Sequence, residues 1–166
     1  MSDAESMSAE LAEAPRDWPE SQRMALGLWV ALARCYSTYA KAIAAKVQEY
    51  DLTVPQFGTL EALYHLGPLS LGELADKLLV TGGNVTYVMD RLEGRGLVAR
   101  YRSVDDRRVV RAKLTPAGRD LVSNVFPGHA EYVEHLCRHL SAEEQEDLRS
   151  LLKRLGKEIA ASDLIR

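Results

Sequence analysis

The sequence predicts a mainly α-helical chain carrying one small β-hairpin, on three observations. Apolar residues recur at three- and four-residue steps through most of the 166 residues. Helix caps and Gly or Pro breaks divide that pattern into segments. Only residues 98–114 alternate apolar with polar at a period of two. A hydrophobic content of 46% with 27% charged residues suits one compact domain with a real core. No apolar run approaches the roughly 20 residues of a membrane span, and the acidic N-terminus lacks the layout of a secretion signal, so a cytoplasmic location is expected. Cys35 and Cys137 have no Cys-x-x-Cys spacing, which fits a reducing compartment.

Residues 1–20 hold six acidic side chains and one Arg among Ser, Ala and Pro, too little apolar surface to offset the entropy of ordering. A mobile tail is expected there, with Trp18 as its one loosely held aromatic. From about Gln22 to Glu49, the residues Trp29, Leu32, Tyr36, Tyr39, Ile43 and Val47 form the buried stripe of a long amphipathic helix. A weaker stripe through Leu28, Cys35 and Ala42 leaves a second face for a partner helix. Thr53 caps the next helix, Pro55 sits in its first turn, and Gly67-Pro68 ends it after Phe57, Leu60, Leu63 and Tyr64. Ser70 and Glu73 make a Ser-x-x-Glu capping box for a short third helix through Leu78.

After the link at Leu79-Val80, Thr81 caps a fourth helix that Gly96 stops, with Val85, Val88, Met89 and Leu92 on its inner face. At about 100° per residue, Gly83, Thr86, Tyr87, Asp90 and Arg91 face outward. Two helices joined by a short link make a helix-turn-helix, whose second helix enters a major groove with its N-terminal residues at base edges. Glycines at 82 and 83 let that end approach a backbone closely. Strands at Val98–Arg102 and Val109–Leu114 follow, with Val110, Ala112 and Leu114 inward of Arg111 and Lys113. Arg107 and Arg108 occupy the hairpin tip, where a guanidinium suits the narrow minor groove and Asp106 can brace Arg108. From Arg91 to Lys113 eight Lys/Arg stand against three Asp/Glu, a local charge of +5 in a chain of net −3, so the rest carries −8. A polyanion is drawn to this face alone. The predicted DNA contacts are Thr81, Gly82, Gly83, Asn84, Thr86, Tyr87, Arg91, Arg102, Asp106, Arg107, Arg108 and Arg111.

Thr115-Pro116 opens another helix through Leu121 and Val125, which Pro127 is expected to kink or split before Val133, Leu136 and Leu140. Ser141 and Glu144 make a second capping box for a last helix with Leu148, Leu151, Leu152, Leu155 and Ile159. These apolar positions exceed what one small winged domain must cover. Together with the first helix they predict a dimerisation layer, and a two-fold dimer sets two reading heads about one DNA turn apart on a palindrome. The organisation read from the sequence is a tail at 1–20, dimerisation segments at 21–50 and 116–163, and a winged helix-turn-helix at 51–115.

Over roughly residues 24–160 the chain resembles the MarR family of winged helix-turn-helix regulators. The resemblance rests on Leu52-Thr53-Val54-Pro55-Gln56-Phe57, on Leu74-Ala75-Asp76-Lys77-Leu78, and on the run from Val85 through Asp90-Arg91-Leu92-Glu93-Gly94-Arg95-Gly96 to Val98. It extends to Asp106-x-Arg108 and Leu114-Thr115-Pro116-Ala117-Gly118. It implies an obligate homodimer joined by its first and last two helices, binding double-stranded DNA and usually repressing a nearby gene until a small ligand or oxidant releases it. By the same resemblance Asp106 and Arg108 are the wing-tip pair and residues 82–91 the recognition helix. Gly83-Asn84-Val85-Thr86-Tyr87-Val88 with Val125-Phe126-Pro127-Gly128-His129-Ala130 looks most like the branch that answers to hydroquinones and related phenols. Effectors of the family, commonly aromatic acids or phenols, lie between the first, second and fifth helices. Here the candidate lining is Trp29, Tyr36, Tyr39, Phe57 and His65, residues that serve equally as core.

Relatives that sense peroxide use a thiol early in the first helix, but the matching position is Trp29, so Cys35 is expected to be a buried, inert thiol. Glu131, His135 and His139 share a helix face at metal-ligand spacing, yet a site needs further ligands and no metal or cofactor is assigned. No Walker, dinucleotide, His-Glu-x-x-His or Gly-x-Ser-x-Gly motif supports an enzyme. A winged module that binds protein instead of DNA remains an alternative, against which stand Arg102, Arg107, Arg108 and Arg111 together.

Overall fold

The computed structural model describes residues 18–78, 82–104 and 106–162. Most of the expected tail, the Leu79-Val80 link and the Thr81 cap lie outside them. The chain falls into two compact units, one up to Lys41 and one from Ala42 onward. The order is α1 (Glu20–Gln48), α2 (Val54–Leu66), β1 (Leu69–Ser70), α3 (Leu71–Leu78), α4 (Gly82–Gly94), β2 (Val98–Arg102), β3 (Val110–Leu114), α5 (Pro116–Cys137) and α6 (Ala142–Ala161). No helix among the described residues is long and apolar enough to cross a membrane.

Local chemistry sets the helix starts. Thr53 accepts the Gln56 N–H, and Gln56 in turn accepts the Thr53 N–H at 2.9 Å, a full capping box where only a cap was expected. Ser70 with Glu73 and Ser141 with Glu144 form the two anticipated boxes. Thr115 accepts the Gly118 N–H at 3.0 Å and donates its hydroxyl hydrogen to the Gly96 carbonyl at 2.7 Å, joining the start of α5 to the end of α4. Gly96 has φ 70°, the left-handed value that favours glycine.

The core lies in the second unit. Val47, Phe57, Leu60, Leu63, Leu74, Val85, Val88, Met89, Leu92, Val98, Ala112 and Val122 are all buried, so α4 presents the inner face that its spacing predicts. The sheet is antiparallel in the order β1-β3-β2, with Leu69 opposite Ala112 and Arg100 opposite Ala112 on the other side. The two-residue β1 was not expected, because its stretch carries the capping Ser70. Burial of Leu69 and pairing to β3 decide it.

Two expectations are corrected. Of the kink or split expected at Pro127, the split does not occur, and the helix runs from Pro116 to Cys137. A proline removes one intrahelical hydrogen bond, and the buried Val122 and His129 on either side hold the two halves in register. The apolar stripe of α1 is buried only at its C-terminal end. Val47 is fully buried, whereas Trp29 and Tyr36 are 64% and 73% exposed. Leu148, Leu151, Leu152, Leu155 and Ile159 of α6 are likewise exposed, as apolar faces are when a single chain offers nothing to cover them.

Gly118 is the tightest contact between helix and hairpin. A Cβ there would sit 1.9 Å from the Leu97 carbonyl oxygen, which also accepts the Thr115 N–H at 3.1 Å. Gly118→Ala should destabilise the protein by about 3 kcal/mol through overpacking against backbone that cannot yield. The urea midpoint of the full-length chain measures this, and an unchanged midpoint would refute the contact.

Candidate nucleic-acid interface

The outer face of α4 opens on two bare glycines. A Cβ at Gly82 or Gly83 would meet nothing within 4 Å, and neither has a left-handed φ, so nothing among the described residues requires glycine there. Thr86 donates its hydroxyl hydrogen to the Gly82 carbonyl at 3.1 Å. Tyr87 is exposed, and the Arg91 guanidinium lies 5.3 Å from its ring centroid, a cation–π pair on the same face. Asn84 is exposed in the same turn. Thr81 lies outside the described residues.

At the wing tip, Asp106 accepts the Arg108 N–H at 2.9 Å and its Nε and Nη2 at 3.2 Å each. Those bonds hold the Asp106 carboxyl below its ordinary range, the side-chain bond first and the backbone bond second. The Arg108 side chain nevertheless stays 92% exposed. Arg107 is exposed beside it. The other two predicted arginines are tied down. Arg102 donates Nη1 to the Arg107 carbonyl at 2.8 Å, closing the turn, and Arg111 donates Nη2 to the Pro68 carbonyl at 2.7 Å, fastening β3 to the chain before β1. No side-chain pattern marks these ties, because both acceptors are backbone carbonyls.

One arginine that sequence reading left unassigned is central. Arg100 on β2 meets both carboxylates of the last turns of α4, Glu93 at 2.6 Å and Asp90 at 2.7 Å. Arg95 likewise donates to the Asp51 carbonyl at 2.6 Å, and Asp51 has the left-handed φ of 56°. Arg95 Nη2 also meets the Asp51 carboxylate at 3.1 Å, so Asp51, Asp90 and Glu93 each have an arginine partner from the stretch that ends α4 and begins the hairpin.

The effector candidates divide between the units. Trp29, Tyr36 and Tyr39 belong to the first and Phe57 and His65 to the second. Phe57 is buried, stacked 4.5 Å from His129 and 5.9 Å from Tyr50 by ring centroid. His65 is exposed, its ring 4.6 Å from that of Phe126. It borders a cleft of about 390 Å³ with Gly58, Glu61, Ala62, Leu66, Lys77 and Leu78. His129 and Tyr50, which sequence reading did not select, each carry a buried polar atom, Nδ1 and the phenol oxygen, that finds no hydrogen-bond partner among the described residues. The available signal was the helical spacing of His129 seven residues after the buried Val122.

The remaining sensing candidates do not assemble. No three His, Cys, Asp or Glu among the described residues converge to hold a metal. Between His135 and His139 the Arg138 guanidinium intervenes, with Nη1 2.7 Å from His135 and Nε 3.3 Å from His139. A cation there disfavours a second one. Cys35 is exposed, not buried as expected, because it lies on a face of α1 that its own unit leaves open.

A family model described as MarR family matches residues 52–110. The HTH-type transcriptional regulator MhqR of Bacillus subtilis (strain 168) is 37% identical over 131 residues, spanning 79% of this chain and 90% of that protein. The structure that describes regulation of DNA binding of Bordetella bronchiseptica BpsR by 6-hydroxynicotinic acid aligns with a TM-score of 0.71 at 28% identity, over 78% of this chain and 98% of that one. The DNA complex of S. aureus MepR aligns with a TM-score of 0.68 at 28% identity, over 78% and 97%.

Burial first, and the Lys46 ammonium in addition, lower the affinity of His129 for a proton, against the pull of the Glu61 carboxylate. Its imidazole is therefore neutral where an unfolded histidine, with an ordinary value of 6.5, already titrates. In that window the unfolded chain binds the extra proton, so stability falls as pH drops below about 6.5. Urea midpoints at about pH 7.5 and about pH 5.5 should show the drop shrinking in His129→Leu. An identical drop in both proteins would assign it to other groups.

Proposed function

The chain belongs to the MarR family of HTH-type transcriptional regulators, and on that premise we propose that it works as a homodimer that seats its two α4 helices on a palindromic operator and leaves it when a small aromatic effector binds. The observation that carries the DNA-reading surface is the pairing of a helix face bare of side chains at Gly82 and Gly83 with an exposed, braced arginine at the wing tip. Glycine favours helix less than alanine, by about 1 kcal/mol in a helix interior and by less in a first turn such as this one. The chain bears that cost with no contact among the described residues to justify it. Close approach of a phosphate backbone to the helix N-terminus supplies the reason.

The wing supports the same reading. Asp106 sets the Arg108 guanidinium in one orientation while leaving it in solvent, so little side-chain entropy remains to be lost in a narrow minor groove. Arg107 adds charge beside it. In this reading Arg102 and Arg111 shape the wing as well as adding to its field, since each also holds a backbone carbonyl.

The dimer follows from uncovered apolar surface. The exposed leucines of α6 and the exposed Met24, Leu28 and Trp29 of α1 exceed what a monomer leaves in water. Segments 21–50 and 116–163 are the proposed dimerisation region, and a second copy is the occupant that two-fold symmetry supplies.

For the effector we propose the cleft beside His65. It has apolar walls in Ala62, Leu66 and Leu78, a cation in Lys77, and an imidazole in His65, which suit the ring and the acidic group of an aromatic acid or phenol. The resemblance of 83–88 and 125–130 to phenol-responsive regulators points the same way, as does the 6-hydroxynicotinic acid named for BpsR. Trp29, Tyr36, Tyr39 and Phe57 remain proposed contributors to effector binding, Phe57 through its packing on His129.

Fluorescence anisotropy tests the reading, using duplexes from the region upstream of the chain's own gene, a scrambled duplex and a salt series. The wild-type dimer should bind the upstream duplex selectively, and a hydroxylated aromatic acid or hydroquinone should release it. Arg108→Ala should weaken binding about tenfold and reduce the log–log salt slope by about 2, one contact per protomer. Gly83→Ala should weaken DNA binding while its urea midpoint stays the same or rises, because alanine favours helix. DNA binding unaffected by Gly83→Ala would remove the close-approach argument.

A further inference from the structure

We propose that Arg100 is a positioning residue for DNA reading, fastening the recognition helix α4 to the free edge of the wing so that the two act as one rigid reader. The inference rests on the DNA-binding reading above and adds to it a residue that need not touch DNA.

β2 is an edge strand in the order β1-β3-β2. The Ser103 N–H donates to the Val109 carbonyl and the Thr115 N–H to the Leu97 carbonyl. Antiparallel ladders alternate between bonded and non-bonded pairs, so the odd-numbered residues of β2 bond to β3 and the Arg100 N–H points off the sheet. Glu93 of α4 takes that N–H through Oε1 at 3.0 Å. Its second oxygen, Oε2, takes Nε of the same arginine at 2.9 Å and Nη2 at 2.6 Å. One carboxylate therefore grips both backbone and side chain of one residue, a forked arrangement that fixes direction as well as distance. Asp90, one turn earlier, meets Nη2 at 2.7 Å.

No other cation among the described residues duplicates this bond. Arg91 lies over Tyr87, Arg95 is held by Asp51, and Arg102 is held by the Arg107 carbonyl. Arg100 is 28% exposed and Glu93 38%, so their fork is partly shielded from solvent and salt, while Asp90 at 57% joins it from the surface. Loss of Arg100 would leave β2 held to α4 by apolar packing alone, with no polar contact to fix the direction of its free edge. It would also leave Asp90 and Glu93 as uncompensated charges one turn apart, on the helix proposed to approach phosphates. A major-groove helix and a minor-groove wing read DNA together only at a fixed separation, and this link sets it.

The test uses the full-length protein and a duplex enriched by the wild type from a randomised pool, with a scrambled duplex as control. Arg100→Gln should lose about tenfold affinity for the enriched duplex and little for the scrambled one. Hydroxyl-radical protection of the wing's minor groove should fade while dimethyl sulfate protection under α4 persists. Helical circular dichroism and dimer mass should stay as in the wild type, and Arg100→Lys should recover part of the selectivity. Glu93→Gln should reproduce the effect, and it carries the test if Arg100→Gln does not fold. Wild-type selectivity and footprint in the variants would overturn the proposal. Equal loss on both duplexes would overturn it too, by making Arg100 a phosphate contact. A wild type that enriches no duplex would instead remove the DNA-binding reading, and this inference with it.

Discussion

The inner face of α4 is the constraint on which the rest depends. Val85, Val88, Met89 and Leu92 lie at three- and four-residue steps and are all buried, and α2, α3 and β2 each touch this helix. Turning α4 about its axis would return those side chains to water at about 1.5 to 3 kcal/mol for each one fully exposed. The rotation of the helix is thereby set, and with it the identity of the outward face. Gly83, Thr86, Tyr87 and Arg91 face solvent because the opposite positions cannot.

The hairpin is subject to a similar constraint in polar terms. Its base is gripped where Thr115 bonds the Gly96 carbonyl and where Gly118 rests on the Leu97 carbonyl. Its inner strand is tied back through Arg111 to Pro68, and its tip is closed by Arg102 and by the Asp106 brace. The wing thus spends several arginines on its own geometry and extends Arg107 and Arg108 outward. Local positive charge was visible in composition. The division between structural and exposed cations needed coordinates, because the acceptors are carbonyls whose positions depend on how β1 and the turn lie.

Much of the fold was legible because its signals are local. Thr53, Ser70, Thr115 and Ser141 open helices where a side-chain oxygen meets a backbone N–H three residues on, and the inner faces of α2 and α4 follow the 3.6-residue period. What escaped was decided by tertiary packing. Pro127 stays inside a helix because buried neighbours hold both sides of it. Leu69 and Ser70 form a strand because Ala112 is opposite. His129 enters the core despite its polarity, since helix α5 turns the same face inward there as at Val122. At the site, the helix face and the wing tip could be read from sequence, whereas the Arg100 link joins residues seven and ten positions apart through an edge N–H that no sequence pattern marks.

Helix α2 gives a physical route from effector to DNA in the proposed mechanism. Phe57, Leu60 and Leu63 on its buried face belong to the core that seats α4, while Gly58, Glu61, Ala62 and His65 border the cleft beside Lys77 and Leu78 of α3. A ligand that preferred a wider cleft would shift α2 against α3, and close packing would pass that shift to α4, since a dense core accommodates displacement poorly. A Cβ on Gly58 would stand 3.2 Å from Leu78 Cδ2, so the floor of the cleft is already a tight contact between the two helices. The ligand need not touch DNA. It must bind better when the two α4 helices of the dimer are spaced away from successive major grooves, and a differential of about 1 to 3 kcal/mol changes affinity by roughly 5- to 150-fold. A reader whose helix and wing are one rigid body responds to such a displacement as a whole, which makes a small movement of α2 sufficient to release both contacts together.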